Sequence, residues 1–434
     1  MYIYLTKNKT SIMDSKAKVA NKIKHQMSKF SGIISKPFSK VKRRLIAEML
    51  YGIQASKDVK LSNIARSLKE YIPLIKTEDR LSRNLDDIDF TDAINDKICS
   101  LASSKVLEDT VLALDPGDII KPYAKKMENL CKVKDGSKHE KSDGYWLCQV
   151  VASNMNDNDV VPMYNEAFSH KAKGFESMNK QIIKSIDTVS KYVENRGIWA
   201  IDRGGDNILF FKKFLKEEKR FVIRGKQNRN IIYNEQTYNI GKFAHSFKCR
   251  HSSKITYYKE GKEKIKDITY GAAQIRLPDL KQPLNLVIVK GFGKTPMLLF
   301  TNKQVNNIIQ ESVWLVLEIY LTRWKCEEVF RYIKQSYNLE DIRVRSYIGI
   351  RNIVVLINAI AYFVTIYIGK NLKLKIVFEK IFIFAKRFFG IPSFYSYAMA
   401  DGIFNYLFDN KYGLIYKTKP KIPDSQLSII WEEN

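Results

Sequence analysis

Between residues 105 and 226, short apolar runs alternate with stretches of helical periodicity, and this alternation limits the fold more than any other feature of the chain. TVLALDPG, WLCQVVASN, DVVPMYNEAF, GIWAIDRGG and RFVIRG have the length and apolar character of strands, with helices expected over 176–195 and 207–218. A chain patterned this way must lay helices on a sheet, and its first strands follow one another closely enough to pair antiparallel. The fold class expected is therefore α/β. Residues 227–295 read differently, as polar alternating segments such as KITYYKE, DITYGAAQIRL and LNLVIVKGFG, which suggests a β-rich insertion. PMLLFTN restores the apolar pattern, and a long helix is expected over 305–337.

The flanks are helical. VKRRLIAEMLYGIQAS, SNIARSLKEYI and TEDRLSRNL form three amphipathic stretches with a break at Pro73, a pattern that resembles a helix-turn-helix bundle. With 434 residues, 45% hydrophobic and 27% charged, the chain can bury a large core and is not disordered in bulk. The balance of 73 Lys and Arg against 46 Asp and Glu gives a net charge of +27. Such an excess makes nucleic acid the leading partner, against the bland alternative of a generally Lys-rich composition. The charge is densest in residues 1–60, where fourteen Lys and Arg face only Asp14, Glu48 and Asp58. Residues 1–104 are read on this charge as a basic helical DNA-binding region.

Other functional classes have less support. Residues 353–368 are almost uninterrupted apolar sequence between Arg351 and Lys370. The run contains Asn358 and falls short of the about 20 residues of a membrane span, so a buried helix is expected and no membrane association. A membrane-associated helical protein built on this stretch is the competing reading. The five cysteines, Cys99, Cys131, Cys148, Cys249 and Cys326, contain no CxxC pair, and the start shows no secretory pattern, so a reducing cytoplasm is expected. His245, Cys249 and His251 lack a clear fourth zinc ligand. Gly204–Gly205 and Gly291–Gly293 lack the Lys-Ser/Thr of a phosphate loop, so no nucleotide cofactor is expected.

The acidic residues carry more information. Asp115 closes the apolar run LALD and Asp202 closes GIWAID; a carboxylate there would be buried without a positive or hydrogen-bonding partner. Two carboxylates from two strand ends can converge on a cation, although DPG and DRGG are also good turn sequences. In the expected long helix, Tyr320, Arg323, Glu327 and Lys334 fall within an arc of about 60° at about 100° per residue. They face one side together, as a shared site or as a solvated ladder with Arg323 and Glu327 as an i,i+4 pair. Glu328 is adjacent, and helix geometry alone does not choose between the two glutamates. Asp118 and Asp206 compete in the same way with Asp115 and Asp202.

The spacing Tyr-x2-Arg-x3-Glu-x6-Lys at Tyr320, Arg323, Glu327 and Lys334 resembles the signature of insertion-sequence-four-type bacterial DDE transposases. Thr301-Asn302 before the helix, Trp324 after the arginine, and LALDPGDIIKPYAKKMENL around the first aspartate look like the same family, and the likeness covers about residues 105–365. It implies a ribonuclease-H-like core formed by 105–226 and 296–345, with the β-rich insertion 227–295 between Asp202 and Glu327. A helical C-terminal region over 346–434 is expected to serve dimerisation.

The resemblance also implies roles. Asp115, Asp202 and Glu327 would be the catalytic, metal-binding carboxylates for two Mg2+ ions, with Mn2+ as a substitute, and Tyr320, Arg323 and Lys334 would contact DNA phosphates near the cut. Lys121, Lys125 and Lys126 would extend the DNA path. Two metal ions about 3.5–4 Å apart suit in-line phosphoryl displacement by water or by a 3′-hydroxyl, so one site can serve both hydrolysis and strand transfer. The implied protein is a cut-and-paste transposase acting as a homodimer on double-stranded DNA, its terminal repeats and target, in a bacterial or archaeal cytoplasm near the nucleoid. The alternatives are an inactive transposase-derived DNA-binding protein and a nuclease on the same core without strand transfer.

Overall fold

The computed structural model describes residues 2–134, 140–155, 160–259, 262–371, 396–408 and 413–414. Five helices open the chain: Tyr2–Ile34 (α1), Lys40–Ser56 (α2), Leu61–Leu68 (α3), Leu74–Asp87 (α4) and Thr91–Ala102 (α5). Ser39 caps α2 by accepting from Lys42 N, and α4 starts directly after Pro73, where the sequence predicts the break.

The central sheet then forms from Val111–Ile120 (β1), Cys131–Lys134 (β2), Lys141–Ser153 (β3), Val160–Phe168 (β4), Ile198–Ile201 (β5) and Phe221–Arg224 (β6). Helix α6 (Met178–Val193) joins β4 to β5, and α7 (Ile208–Lys216) joins β5 to β6. β3 lies antiparallel to β1 and β4, whereas β5 is parallel to β1 and β6 is parallel to β5. Opening strands in succession pair as hairpins, and the later ones need helical crossovers, as the alternation in the sequence requires.

The stretch 227–295 is not a separate β unit. After a hairpin, Asn230–Tyr233 (β7) with Gln236–Asn239 (β8), and a short helix Ile240–Ser246 (α8), its strands His251–Lys259 (β9), Lys262–Ile275 (β10) and Leu284–Lys290 (β11) join Met297–Thr301 (β12), which pairs antiparallel with β6. The sheet thus runs on as β5-β6-β12-β11-β10-β9.

The expected helix over 305–337 is shorter and divided: Gln310–Thr322 (α9) and Trp324–Ser336 (α10) meet at Arg323. At the joint Arg323 N donates to Tyr320 O and Cys326 N to Arg323 O, so the bonds tighten to three-residue spacing. α10 ends where Asn338 takes a left-handed φ of 51°.

The apolar run 353–368 lies in the helix Tyr347–Tyr362 (α11) and the π-helical turn Phe363–Tyr367 that continues it. Tyr347–Tyr367 is largely buried in the protein, packed against β4, α2, α4 and α5. One hydrophobic core runs from Val19 of α1 through the sheet to Leu407 in the helix Ser396–Phe408. The opposite face of the sheet forms a second core in which Val111, Ile198, Ala200 and Val222 meet Val316, Leu317 and Tyr320 of α9. Much of the proposed C-terminal dimerisation region lies outside the described residues.

Part of the basic charge of the first helices is matched inside the fold. Lys42 is 4% exposed at its side chain and pairs with Asp87, and Arg44 and Arg80 both bind Glu48 and Glu70. Lys24 Nζ donates to Gly413 O, and Lys57 pairs with Asp401.

Candidate active site

The last register pair between β1 and β5 is Leu114 with Ile201, and the next residues are Asp115 and Asp202. Parallel strands stand about 4.8 Å apart and side chains alternate faces, so the two aspartates are neighbours on the α9 face, following Val111, Ile198 and Ala200. The sequence reading placed Asp115 at a strand end. In the structure β1 continues to Ile120, and it is β5 that stops. Pro116 is tolerated in mid-strand because no β5 residue pairs with β1 beyond Leu114.

Asp202 is fixed by the turn Arg203–Gly205, with its Oδ1 accepting from Gly204 N at 2.7 Å. A side chain at Gly205 would collide with Ile201, which accounts for a glycine after the aspartate. On β1, a side chain at Gly117 would collide with the Phe330 ring. That absent Cβ lets α10 lie close over β1 two residues from Asp115.

Arg323 joins α10 to Asp115. Its Nη2 donates to Glu327 Oε1 at 2.9 Å, and its Nη1 is 3.4 Å from Asp115 Oδ1. The residue is 5% exposed and its guanidinium lies 5.6 Å from the Tyr320 ring centre. Burial opposes its charge, but Asp115, Tyr320 and Glu327 outweigh burial and its pKa is raised. The Asp115 carboxyl is pushed up to about 7, most of all by burial and further by Asp202 and Glu327, against the pull of Arg323. Asp115 therefore feels both other carboxylates, with the Arg323 guanidinium between it and Glu327.

The competing acids have other partners. Glu328 pairs with Arg331 at 2.6 Å, and Asp118 pairs with Lys334 at 3.2 Å. Asp206 is buried beneath Arg229 Nε at 2.6 Å and accepts from Lys226 N, which ties the start of 227–295 to the turn after β5.

The expected phosphate contacts are distributed unevenly. Tyr320 is fully buried and its hydroxyl has no hydrogen-bond partner among the described residues. Arg323 is held by the carboxylates, and Lys334 lies between Asp118 and Glu340. Lys121 is buried, with Nζ donating to Ile342 O at 2.7 Å and to Glu340 O, whereas Lys125 and Lys126 are exposed. His251 binds Asn307 O at 2.9 Å, apart from any metal cluster with His245 and Cys249. Among the described residues no three His, Cys, Asp or Glu side chains stand close enough together to hold a metal ion. Cys148 and Cys326 lie near Asp115, and burial pushes the Cys148 thiol up to about 12, so it stays protonated.

One neighbour was not anticipated. Gln149 of β3 is the register partner of both Asp115 and Asn165 of β4; it is fully buried, and neither its Oε1 nor its Nε2 has a hydrogen-bond partner among the described residues. Directly opposite residues share a face, so this amide lies beside Asp115. The signal for it is the single glutamine in the apolar run WLCQVVAS.

Residues 165–364 match the family described as Transposase DDE domain, a span that includes Asp202, Glu327 and the α9–α10 joint but not Asp115. The match supports a DDE transposase, a DNA-processing enzyme. A solved structure described as a cryo-EM structure of piggyBac transposase synaptic complex with hairpin DNA is similar at 12% identity and a TM-score of 0.43, covering 94% of this chain and 85% of that one. No curated protein matches the sequence.

Proposed function

We propose that the chain is a metal-dependent cut-and-paste DNA transposase of the insertion-sequence-four type, acting through Asp115, Asp202 and Glu327. The observation that carries this reading is the register step from Leu114 and Ile201 to Asp115 and Asp202, with Glu327 linked to Asp115 through Arg323. The strand order β4-β3-β1-β5-β6, with helices α6 and α7 as crossovers, supports a ribonuclease-H-like core.

The donor chemistry suits a divalent cation of the Mg2+ kind, although the three carboxylates would have to draw closer together than they stand here to hold one. All three groups are carboxylates, hard oxygen donors, and one guanidinium leaves them with excess negative charge. Asp115, Asp202 and Glu327 would hold two ions, which supply charge neutralisation at the phosphate and an activated nucleophile. Arg323 must release at least one carboxylate as they gather. Once released, its fork of donors suits two phosphate oxygens of the DNA end, and Lys334 supplies a point charge about three turns further along α10. Tyr320, buried against Arg323, positions that guanidinium. Lys125 and Lys126 extend the DNA path, with Lys121 holding its wall. Two ends must be cut together, so the working unit is a homodimer on DNA, in a bacterial or archaeal cytoplasm.

Excision from a donor plasmid carrying the gene's native flanking DNA tests this reading. A rejoined donor is expected with the wild type and none with Glu327→Gln, which keeps the shape and removes the charge. Rejoined donor with both proteins would exclude Glu327; none with either, with DNA binding retained, would favour a binding protein that has lost its activity.

A further inference from the structure

β1 runs five residues past Asp115 to Ile120, and there a cavity of about 570 Å3 opens between the segments 120–127 and 340–345. Its two acids are already matched. Glu340 lies 3.1 Å from Lys334 Nζ, and Asp341 pairs with Lys60. Lys121 is buried with its ammonium on the carbonyls of Glu340 and Ile342, so it ties the two walls together.

The remaining cations are Lys125, Lys126, Arg343 and Arg345. All are exposed, and none has an ion pair among the described residues. Arg343 and Arg345 alternate with buried Ile342 and Val344, which puts both on one side of the segment about 7 Å apart. Four unmatched cations around one cavity repel one another unless a polyanion enters. At the mouth stands Tyr123, 94% exposed between Pro122 and Ala124. A ring with so little packing offers an open face.

We propose that this cavity is a second DNA-contact site, in which Lys125, Lys126, Arg343 and Arg345 bind phosphates of the strand running on from the carboxylates and Tyr123 stacks on an unpaired base. It rests on the function proposed above. Five residues of β1 span about 17 Å, so one strand reaches both places, and Lys334, bound to Asp118 and Glu340, lies between them. Arginine at i and i+2 can fork onto successive phosphates, and an exposed aromatic face accepts any base.

The test is binding of the full-length protein to a duplex of the native element end, measured over a salt series. For the variant with Lys125, Lys126, Arg343 and Arg345 all replaced by alanine, the slope of log K against log salt should become shallower by about 3 to 4, at about 0.9 per lost phosphate contact. Arg343→Lys with Arg345→Lys should keep most of the wild-type slope, which separates charge from folding. Tyr123→Ala should leave a fully paired end unaffected and weaken an end with an unpaired overhang about tenfold. An unchanged slope in the alanine variant, with the wild type still binding and excising, would overturn this site and leave the proposed function standing. A wild type that binds no DNA would overturn both.

Discussion

Asp115 and Asp202 each stand one residue beyond Leu114 and Ile201, the last register partners of two parallel strands. Because β5 ends there and β1 does not, one aspartate is in mid-strand and the other opens a turn, yet they share a face. The place where the two aspartates meet is set by the sheet, and α10 is brought to it by Arg323 and by the space over Gly117.

Gly117→Ala should separate these elements. The added methyl meets the Phe330 ring, so α10 must shift away from β1, at a cost of about 1–3 kcal/mol for an overpacked contact. Excision should fall more than the loss in stability explains, since Glu327 moves with Phe330. Denaturant unfolding alongside the excision assay checks this; unchanged excision in a destabilised protein would mean the approach of α10 is not critical.

Arg323→Ala should leave Asp115 and Glu327 without their guanidinium. A loss of about 1–3 kcal/mol is expected in chelator, below that of a fully buried pair because Glu327 is half exposed. Mn2+ should raise the melting temperature of this variant more than that of the wild type, since the ion no longer competes with the arginine. An equal rise in both would show that Arg323 does not occupy the ion's place.

Gln149→Leu should remove two buried polar atoms that lack partners. Stability should hold or rise by about 1 kcal/mol, because the desolvation penalty of the amide disappears. Excision should fall if the amide serves Asp115, and a more stable, fully active variant would show that it does not.

Lys121 carries a pH signature. Burial lowers its pKa from 10.5 to about 8, so between those values the unfolded chain binds more protons and stability rises with pH. Relative to Lys121→Met, the wild type should gain up to about 3 kcal/mol between about pH 8 and pH 10.5, with the full penalty present below pH 8. Urea unfolding of both proteins across this range measures the difference, and a constant offset would contradict it.

Glu166 is a structural counterpart. Buried on β4, it binds Lys184 of α6 at 2.9 Å and Arg351 of α11 at 2.6 Å. Glu166→Ala removes the buried acid between these two cations, which keep Asp92 and Asp89 as partners, and should destabilise by about 1–3 kcal/mol, read from chemical denaturation.

The alternation of strand and helix over 105–226, the break at Pro73 and the burial of 353–368 were legible in the sequence, because they follow from local periodicity and from an apolar run too short for a membrane. Asp115 and Asp202 were legible as acids ending apolar runs, and Glu327 as part of one helix face. What periodicity could not supply was register. Only strand pairing brought Asp115, Asp202 and Gln149 together, and only packing bent the expected helix at Arg323 and paired Glu328 with Arg331. The same holds for charge. A count of Lys and Arg does not tell Lys42 and Lys121, bound inside the fold, from Lys125 and Arg343, which face solvent. Sequence alone determined the kinds of element and the kinds of chemistry available; tertiary contact decided which charges remain unpaired and which acids meet, because electrostatic interaction depends on distance and burial rather than on position along the chain.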